Sequence, residues 1–208
     1  MRDEKRTGAA VKMVFGKKES REEASGSGFL AYLHDFVWLM SVVLIVFLLC
    51  FRVVVVSGPS MKATLFNGDY LFLVSNSFYH NPKQGDIIVA SKDTFRQGEP
   101  IVKRVIATEG QTVDIDFIEG IVYVDGIALE EPYTLTPTNL QEGVPFPVTV
   151  CENCVFVMGD NRNDSKDSRS YEIGQIDCRQ ILGKAVFLIF PGSEEKEPRD
   201  FGRIGVLN

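Results

Sequence analysis

The chain is poor in histidine. Its 208 residues contain two, His34 and His80, so a mechanism built on imidazole has few places to start. A single tryptophan and four cysteines (Cys50, Cys151, Cys154 and Cys178) are present. There is no excess of positive charge: the net charge of −6 argues against nucleic acid as a partner. No internal repeat is evident, and after residue 56 no helical period runs longer than two turns. Long apolar runs are also lacking, with one exception near the N-terminus; Phe187 to Phe190 is too short to span a bilayer. The length and the 45% hydrophobic fraction fit one globular domain of ordinary size plus extras.

The exception is informative. Phe36 to Phe51 carries no charge and is rich in Val, Leu, Ile and Phe. Phe29 to Leu33 before it and Val53 to Val56 after it can bring the run to the ~20 residues a spanning helix needs, with Arg52 snorkelling to the interface. A cleaved secretory signal needs small residues at its exit, and Leu49-Cys50-Phe51-Arg52 offers none. A lipid-modified Cys50 would need them before it, where Leu48 and Leu49 stand. The remaining alternative to an uncleaved anchor is a core helix of a soluble protein. Seven basic residues precede the run (Arg2, Lys5, Arg6, Lys12, Lys17, Lys18 and Arg21), and only Arg52 and Lys62 closely follow it. The expected layout is therefore a mobile cytoplasmic tail over 1–28, an anchor over 29–52, and an extracytoplasmic domain over 53–208.

That domain reads as mostly β. Short apolar runs (Tyr70 to Val74, Ile87 to Ala90, Ile101 to Thr108, Val113 to Ile118, Ile121 to Val124, Val155 to Met158 and Ala185 to Phe190) are separated by turn residues such as Asn67-Gly68-Asp69 and Asp125-Gly126. The stretch 111–150 reads as an inserted subdomain or an elaborated hairpin. Glu194-Glu195-Lys196-Glu197 reads as a solvated acidic run.

Three places carry chemistry. Val155-Phe156-Val157-Met158 opens into an eleven-residue polar loop, Gly159 to Arg169, whose carboxylates, hydroxyls and guanidiniums exceed what a turn requires. Ser60 follows Gly58 and Pro59, where the chain leaves the anchor. Lys103 sits in Pro100-Ile101-Val102-Lys103-Arg104-Val105-Ile106-Ala107, a strand whose alternation puts it on one side with Ile101, Val105 and Ala107. An amine on an apolar face is desolvated and shifts toward neutrality. To serve as a base near neutral pH its pKa must fall from about 10.4 to roughly 7–8; arginine could not do this. Taken singly, Ser60 reads as a structural turn residue and Lys103 as a lysine whose head reaches solvent. Cys151-Glu152-Asn153-Cys154 is a lone C-x-x-C. Zinc wants four ligands, and only Cys178 and His80 remain on that side of the anchor. A redox pair, a structural disulfide and free thiols all stay open, with one cysteine left over.

In this order, Ser60-Met61-Lys62-Ala63-Thr64-Leu65, Gly68-Asp69, Gly85-Asp86-Ile87-Ile88-Val89, Lys103-Arg104-Val105-Ile106 and the 159–169 loop resemble the motif set of bacterial type I signal peptidases, over about residues 36 to 191. The resemblance implies a β catalytic core with a small inserted β region behind one N-terminal transmembrane helix. It implies Ser60 as nucleophile and Lys103 as general base, a recognised variant of triad logic. It matches Ser165 to the hydroxyl that orients the lysine amine, Asp167 with Arg169 and Arg104 with Asp160 to supporting ion pairs, and Val56, Ser57, Gly58, Met61, Leu65 and Val102 to substrate-contacting positions. It further implies a plasma-membrane endopeptidase, single-pass and monomeric. Its partners would be the bilayer and exported preproteins cut after Ala-x-Ala-type sites, with no metal or cofactor. The chain departs from the family pattern in having Ala63 where proline is usual and in the order Asn163-Asp164. It also has Gly58 where some members carry a serine as second oxyanion donor, which leaves the hole to the Ser60 N–H and whatever Gly58 exposes. Competing readings are a pilin-processing member, a non-catalytic paralogue and a self-cleaving Ser–Lys regulator; the last would need a DNA-binding module or an internal cleavage segment.

Overall fold

The structure is a computed structural model that describes residues 28–193 and 198–207. The tail expected over 1–28, but for Gly28, and the acidic run at 194–197 lie outside the described residues. Helix α1, Gly28–Cys50, has 23 residues, or about 34 Å at 1.5 Å per residue, enough for a ~30 Å hydrocarbon layer. Its apolar side chains are exposed along its length. The helix ends where a strand begins. Phe51 to Val55 pairs with a later strand in the register Phe51↔Val74 to Val55↔Tyr70, so Val53 to Val56 does not extend the span and the boundary falls at residue 50 rather than 52. A run of β-branched valines with a ready partner edge favours the strand.

In chain order the strands are β1 (Phe51–Val55), β2 (Tyr70–Ser75), β3 (Ile87–Ser91), β4 (Pro100–Thr108), β5 (Thr112–Asp116) and β6 (Ile121–Val124), followed by β7 (Ile127–Ala128), β8 (Val148–Thr149), β9 (Cys154–Met158), β10 (Ile176–Asp177), β11 (Ile181–Phe190) and β12 (Gly205–Val206). Among the described residues they form two sheets. One has the order β1-β2-β11-β3-β4-β9-β10 with β12 against β11; the other is β7-β6-β5-β8. Every pairing is antiparallel. The fold is thus mainly β with a small inserted sheet, whose strands lie between residues 112 and 149.

Three apolar clusters hold these layers. Val56, Met61, Leu65, Leu71, Leu73 and Val102 belong to the first. Ile88, Val105, Val155 and Val157 belong to the second. The third joins the sheets, placing Ile106, Ala107, Phe156 and Met158 against Val113, Ile115, Val122 and Val124. The expected alternation along β4 fails at one point. The β4–β9 register shifts between Val105 and Ala107, and Ala107 joins Ile106 in the third cluster instead of sharing a side with Lys103 and Val105. An extra residue on one strand breaks the period of two.

Candidate active site

Ser60 lies in a turn pinned at both ends. Upstream, Val56 donates to Asp69 O (2.8 Å) and accepts from Gly68 N (2.9 Å). Downstream, the N–H groups of Thr64 and Leu65 both bond Met61 O (2.9 and 2.8 Å), and Met61 and Leu65 have 0% exposure. Gly58 takes φ +93, a left-handed conformation that suits glycine. Its N–H donates to Asn67 Oδ1 at 3.0 Å, so it is already engaged. The Ser60 N–H has no hydrogen-bond partner among the described residues, and Ser60 itself is half-buried.

Lys103, on β4 opposite Ile88 of β3, is 5% exposed. Its Nζ donates to Ser60 Oγ at 2.6 Å. Burial pushes this amine down from 10.5 to about 8; Arg169 acts in the same direction, while Asp167, Asp160 and Glu142 oppose it. Desolvation wins because three partly compensated carboxylates cannot replace the hydration shell of an ammonium.

The 159–169 loop is laid directly on the serine turn. Asn161 N donates to Ser60 O (3.0 Å) and Asn161 Nδ2 to Pro59 O (3.3 Å). Gly159 is required by space: a Cβ there would collide with Ser165 Oγ and Ser60 O. Asp167 and Arg169 form a fully buried pair, with Nε to Oδ1 at 2.9 Å and Nη2 to Oδ2 at 2.9 Å. Burial alone would raise the Asp167 carboxyl; Arg169 and the Gly159 N–H outweigh it and hold the group below its ordinary value. Ser165 donates to Asp167 Oδ2 at 2.9 Å. Its proton therefore goes to the carboxylate, and no hydrogen bond joins it to Lys103 in this arrangement. Arg104 and Asp160 form a second buried bidentate pair (2.9 and 2.8 Å). Thr64 Oγ1 adds a bond to Asp160 Oδ2 at 2.5 Å, and the Tyr133 ring covers the guanidinium at 4.0 Å.

The positions matched to substrate contact divide. Ser57 is exposed and Gly58 half-buried. Val56 and Val102 are nearly buried at 3% and 9%, and Met61 and Leu65 present no surface. All four of these side chains belong to the first cluster, which lies against the serine turn.

Sequence reading missed the strap that grips the loop from outside. Arg162, with no exposure, donates to Gly159 O (3.0 Å), Thr138 Oγ1 (2.8 Å) and both Glu131 oxygens. Asn163 accepts from the N–H groups of Asn139 (3.2 Å) and Leu140 (3.1 Å) and donates to Thr136 Oγ1 and Pro137 O (3.0 Å each). Arg169 Nη1 reaches Leu140 O at 3.0 Å. The polar density of the loop was the available signal; the partners lie more than twenty residues upstream in a segment without a motif. His80 is exposed, and no His, Cys, Asp or Glu cluster among the described residues has a metal-binding arrangement.

Comparison with known proteins adds the lineage. The family model described as signal peptidase, peptidase S26, matches residues 29–190. The chain is 42% identical over 145 residues to a probable signal peptidase I-1 from Synechocystis sp., covering 66% of this chain and 70% of that protein. It is 33% identical over 173 residues to signal peptidase I from Bacillus licheniformis, covering 76% and 90%. A crystal structure of a signal peptidase I from Enterococcus faecalis V583 aligns at 27% identity with a TM-score of 0.42, over 50% of this chain and 96% of that one.

Proposed function

The chain belongs to the signal peptidase family, peptidase S26, and is a signal peptidase I; from that premise we propose that it cuts exported preproteins with a Ser60–Lys103 dyad at the outer face of a membrane. The observation that carries this reading is the 2.6 Å contact between a buried amine and a half-buried hydroxyl. A neutral Lys103 takes the Ser60 proton as Oγ attacks the scissile carbonyl. The acyl-enzyme forms, the lysine ammonium protonates the leaving amine, and water then releases the acyl group. The Ser60 N–H is the donor available to the developing oxyanion. Asp167, Arg169, Arg104 and Asp160 position the loop and β4, and Ser165 acts through Asp167. Ser57 and Gly58 offer surface to the peptide, while Val56 and Val102 limit the depth of an apolar pocket suited to alanine-sized side chains.

Helix α1 supplies the anchor, with the basic N-terminal segment on the cytoplasmic side and the catalytic part, acting as a monomer, outside. An apolar face supports bilayer contact by that part. Val53 (57% exposed) and Val55 (48%) continue through Tyr70, the register partner of Val55, to Phe190 and Phe201, which stack edge to face. Contiguous exposed apolar surface of this kind marks an interaction site.

Ser60→Ala and Lys103→Met should each abolish cleavage of a model preprotein carrying Ala-x-Ala in detergent, with unchanged circular dichroism. Full activity in the folded Lys103→Met protein would remove the assigned base.

A further inference from the structure

We propose that Cys151 and Cys154 form a redox-modifiable site that closes as a disulfide across the turn joining the two sheets, leaving Cys178 as a thiol. All four cysteines are free in the structure. Cys154 N donates to Cys151 O at 3.2 Å, so the two residues are the ends of a hydrogen-bonded β-turn with Glu152 and Asn153 at its corners. Asn153 takes φ 55, a left-handed corner that asparagine tolerates. The ends of such a turn lie less than about 7 Å apart at Cα, and a disulfide spans roughly 4.4–6.8 Å. Closure therefore needs side-chain rotation and little backbone movement.

The third cysteine is placed differently. Asp177 is the register partner of Cys154, and the next residue, Cys178, bonds Asn153 O through its N–H at 2.8 Å. Cys178 lies beyond the strand, at the start of a short 3-10 helix, Cys178–Gln180. Cys154 packs on the cluster that joins the sheets, while Cys178 packs on the cluster of Ile88 and Val105. A Cys154–Cys178 bridge would have to draw one of the two side chains away from its cluster.

Thiol chemistry assigns the order of events. Burial pushes the Cys154 and Cys178 thiols up, which sets them apart from the activated thiolates of oxidoreductases. Cys151 is exposed and attacks first. Its thiolate displaces one sulfur of a small-molecule or protein disulfide, and Cys154 then attacks the mixed disulfide and expels the second sulfur. The oxidant is reduced to two thiols, which take up the two protons lost by the cysteines. The bridge would fasten the return from β8 to β9, the strand whose far end, Met158, leads into Gly159 and the catalytic loop.

The test uses the full chain in detergent, equilibrated with oxidised and reduced glutathione, alkylated with N-ethylmaleimide and digested with trypsin. The expected product is the peptide carrying Cys151 and Cys154, unlabelled and about 2 Da lighter than its dithiol form, with Cys178 labelled. Dithiothreitol should restore two labels, and Cys178→Ser should leave the result unchanged. Labelling of both Cys151 and Cys154 under oxidising conditions, or a bridge that includes Cys178, would overturn the proposal. Cleavage of an Ala-x-Ala preprotein by the same samples tests the peptidase reading separately.

Discussion

At the scale of single residues the proposed chemistry turns on one amine kept from water. The fall of Lys103 from 10.5 to about 8 corresponds to about 3 kcal/mol against its charged form, at roughly 1.36 kcal/mol per pKa unit. The proposed base is active when neutral. We therefore expect kcat/KM for preprotein cleavage to rise about tenfold per pH unit on the acid side and to level off above about 8; a pH–rate profile flat from 6 to 9 would contradict this. Stability follows the same group with a definite sign. Between about 8 and 10.5 the unfolded chain holds more protons than the folded one, so stability grows with pH across that window. Below about 8 both states are charged and the penalty is constant. Lys103→Met removes the penalty. At pH 7 it should melt higher than the parent, and the difference should shrink by pH 10, which calorimetry at the two values checks. The desolvated lysine was legible because its sequence neighbours are apolar. The partner of the Ser165 proton was not, because it depends on how Asp167 folds back on the loop.

At the scale of elements the 159–169 loop works as a clasp between the serine turn and the strap at 131–144. The Arg104–Asp160 pair has almost no exposure (2% and 0%), and breaking such a pair leaves an uncompensated charge. Asp160→Asn should cost about 3–5 kcal/mol, measurable by urea denaturation. Asn163 uses its amide as donor and acceptor at once. Asn163→Asp loses the bond to Pro137 O, since only the Thr136 hydroxyl can turn to donate to the new carboxylate, and should lower stability by about 1 kcal/mol while leaving the Ser60–Lys103 contact in place. That dual use explains why asparagine serves at a position where the resemblance led one to expect aspartate. Apart from β1, whose valines read as a continuation of the apolar span, the longer strands of the main sheet could be read from runs of apolar residues between turns. The two-residue strands β7, β8, β10 and β12 could not, since two residues carry no period. The bulge after Val105 was equally invisible, because its cause is the register of a strand fifty residues away.

At the scale of the whole molecule the apolar face that runs from β1 to Phe201 is the feature with the widest reach. Burying one valine is worth about 1.5 kcal/mol. The double substitution Val53→Asp, Val55→Asp should therefore weaken lipid contact by at least about 3 kcal/mol. Cleavage of a preprotein embedded in phosphatidylcholine vesicles should fall about tenfold or more, with detergent activity preserved; equal loss in both media would point to misfolding instead. The sequence announced the long apolar run near the N-terminus and the order of its motifs, but it could not announce this face, which exists only once β1, β2 and β11 are side by side. The strap has a further consequence. Arg162, Asn163 and Arg169 reach from the catalytic loop to residues 131–140, and the third cluster spans both sheets. The small sheet has no private interior to fall back on, because the one cluster its strands enter is shared with β4 and β9. Heating should melt both sheets in a single cooperative transition, with van't Hoff and calorimetric enthalpies in agreement, and trimming the insertion to obtain a smaller protease should uncover Ile106, Ala107, Phe156 and Met158 and yield a chain that melts lower and aggregates more readily.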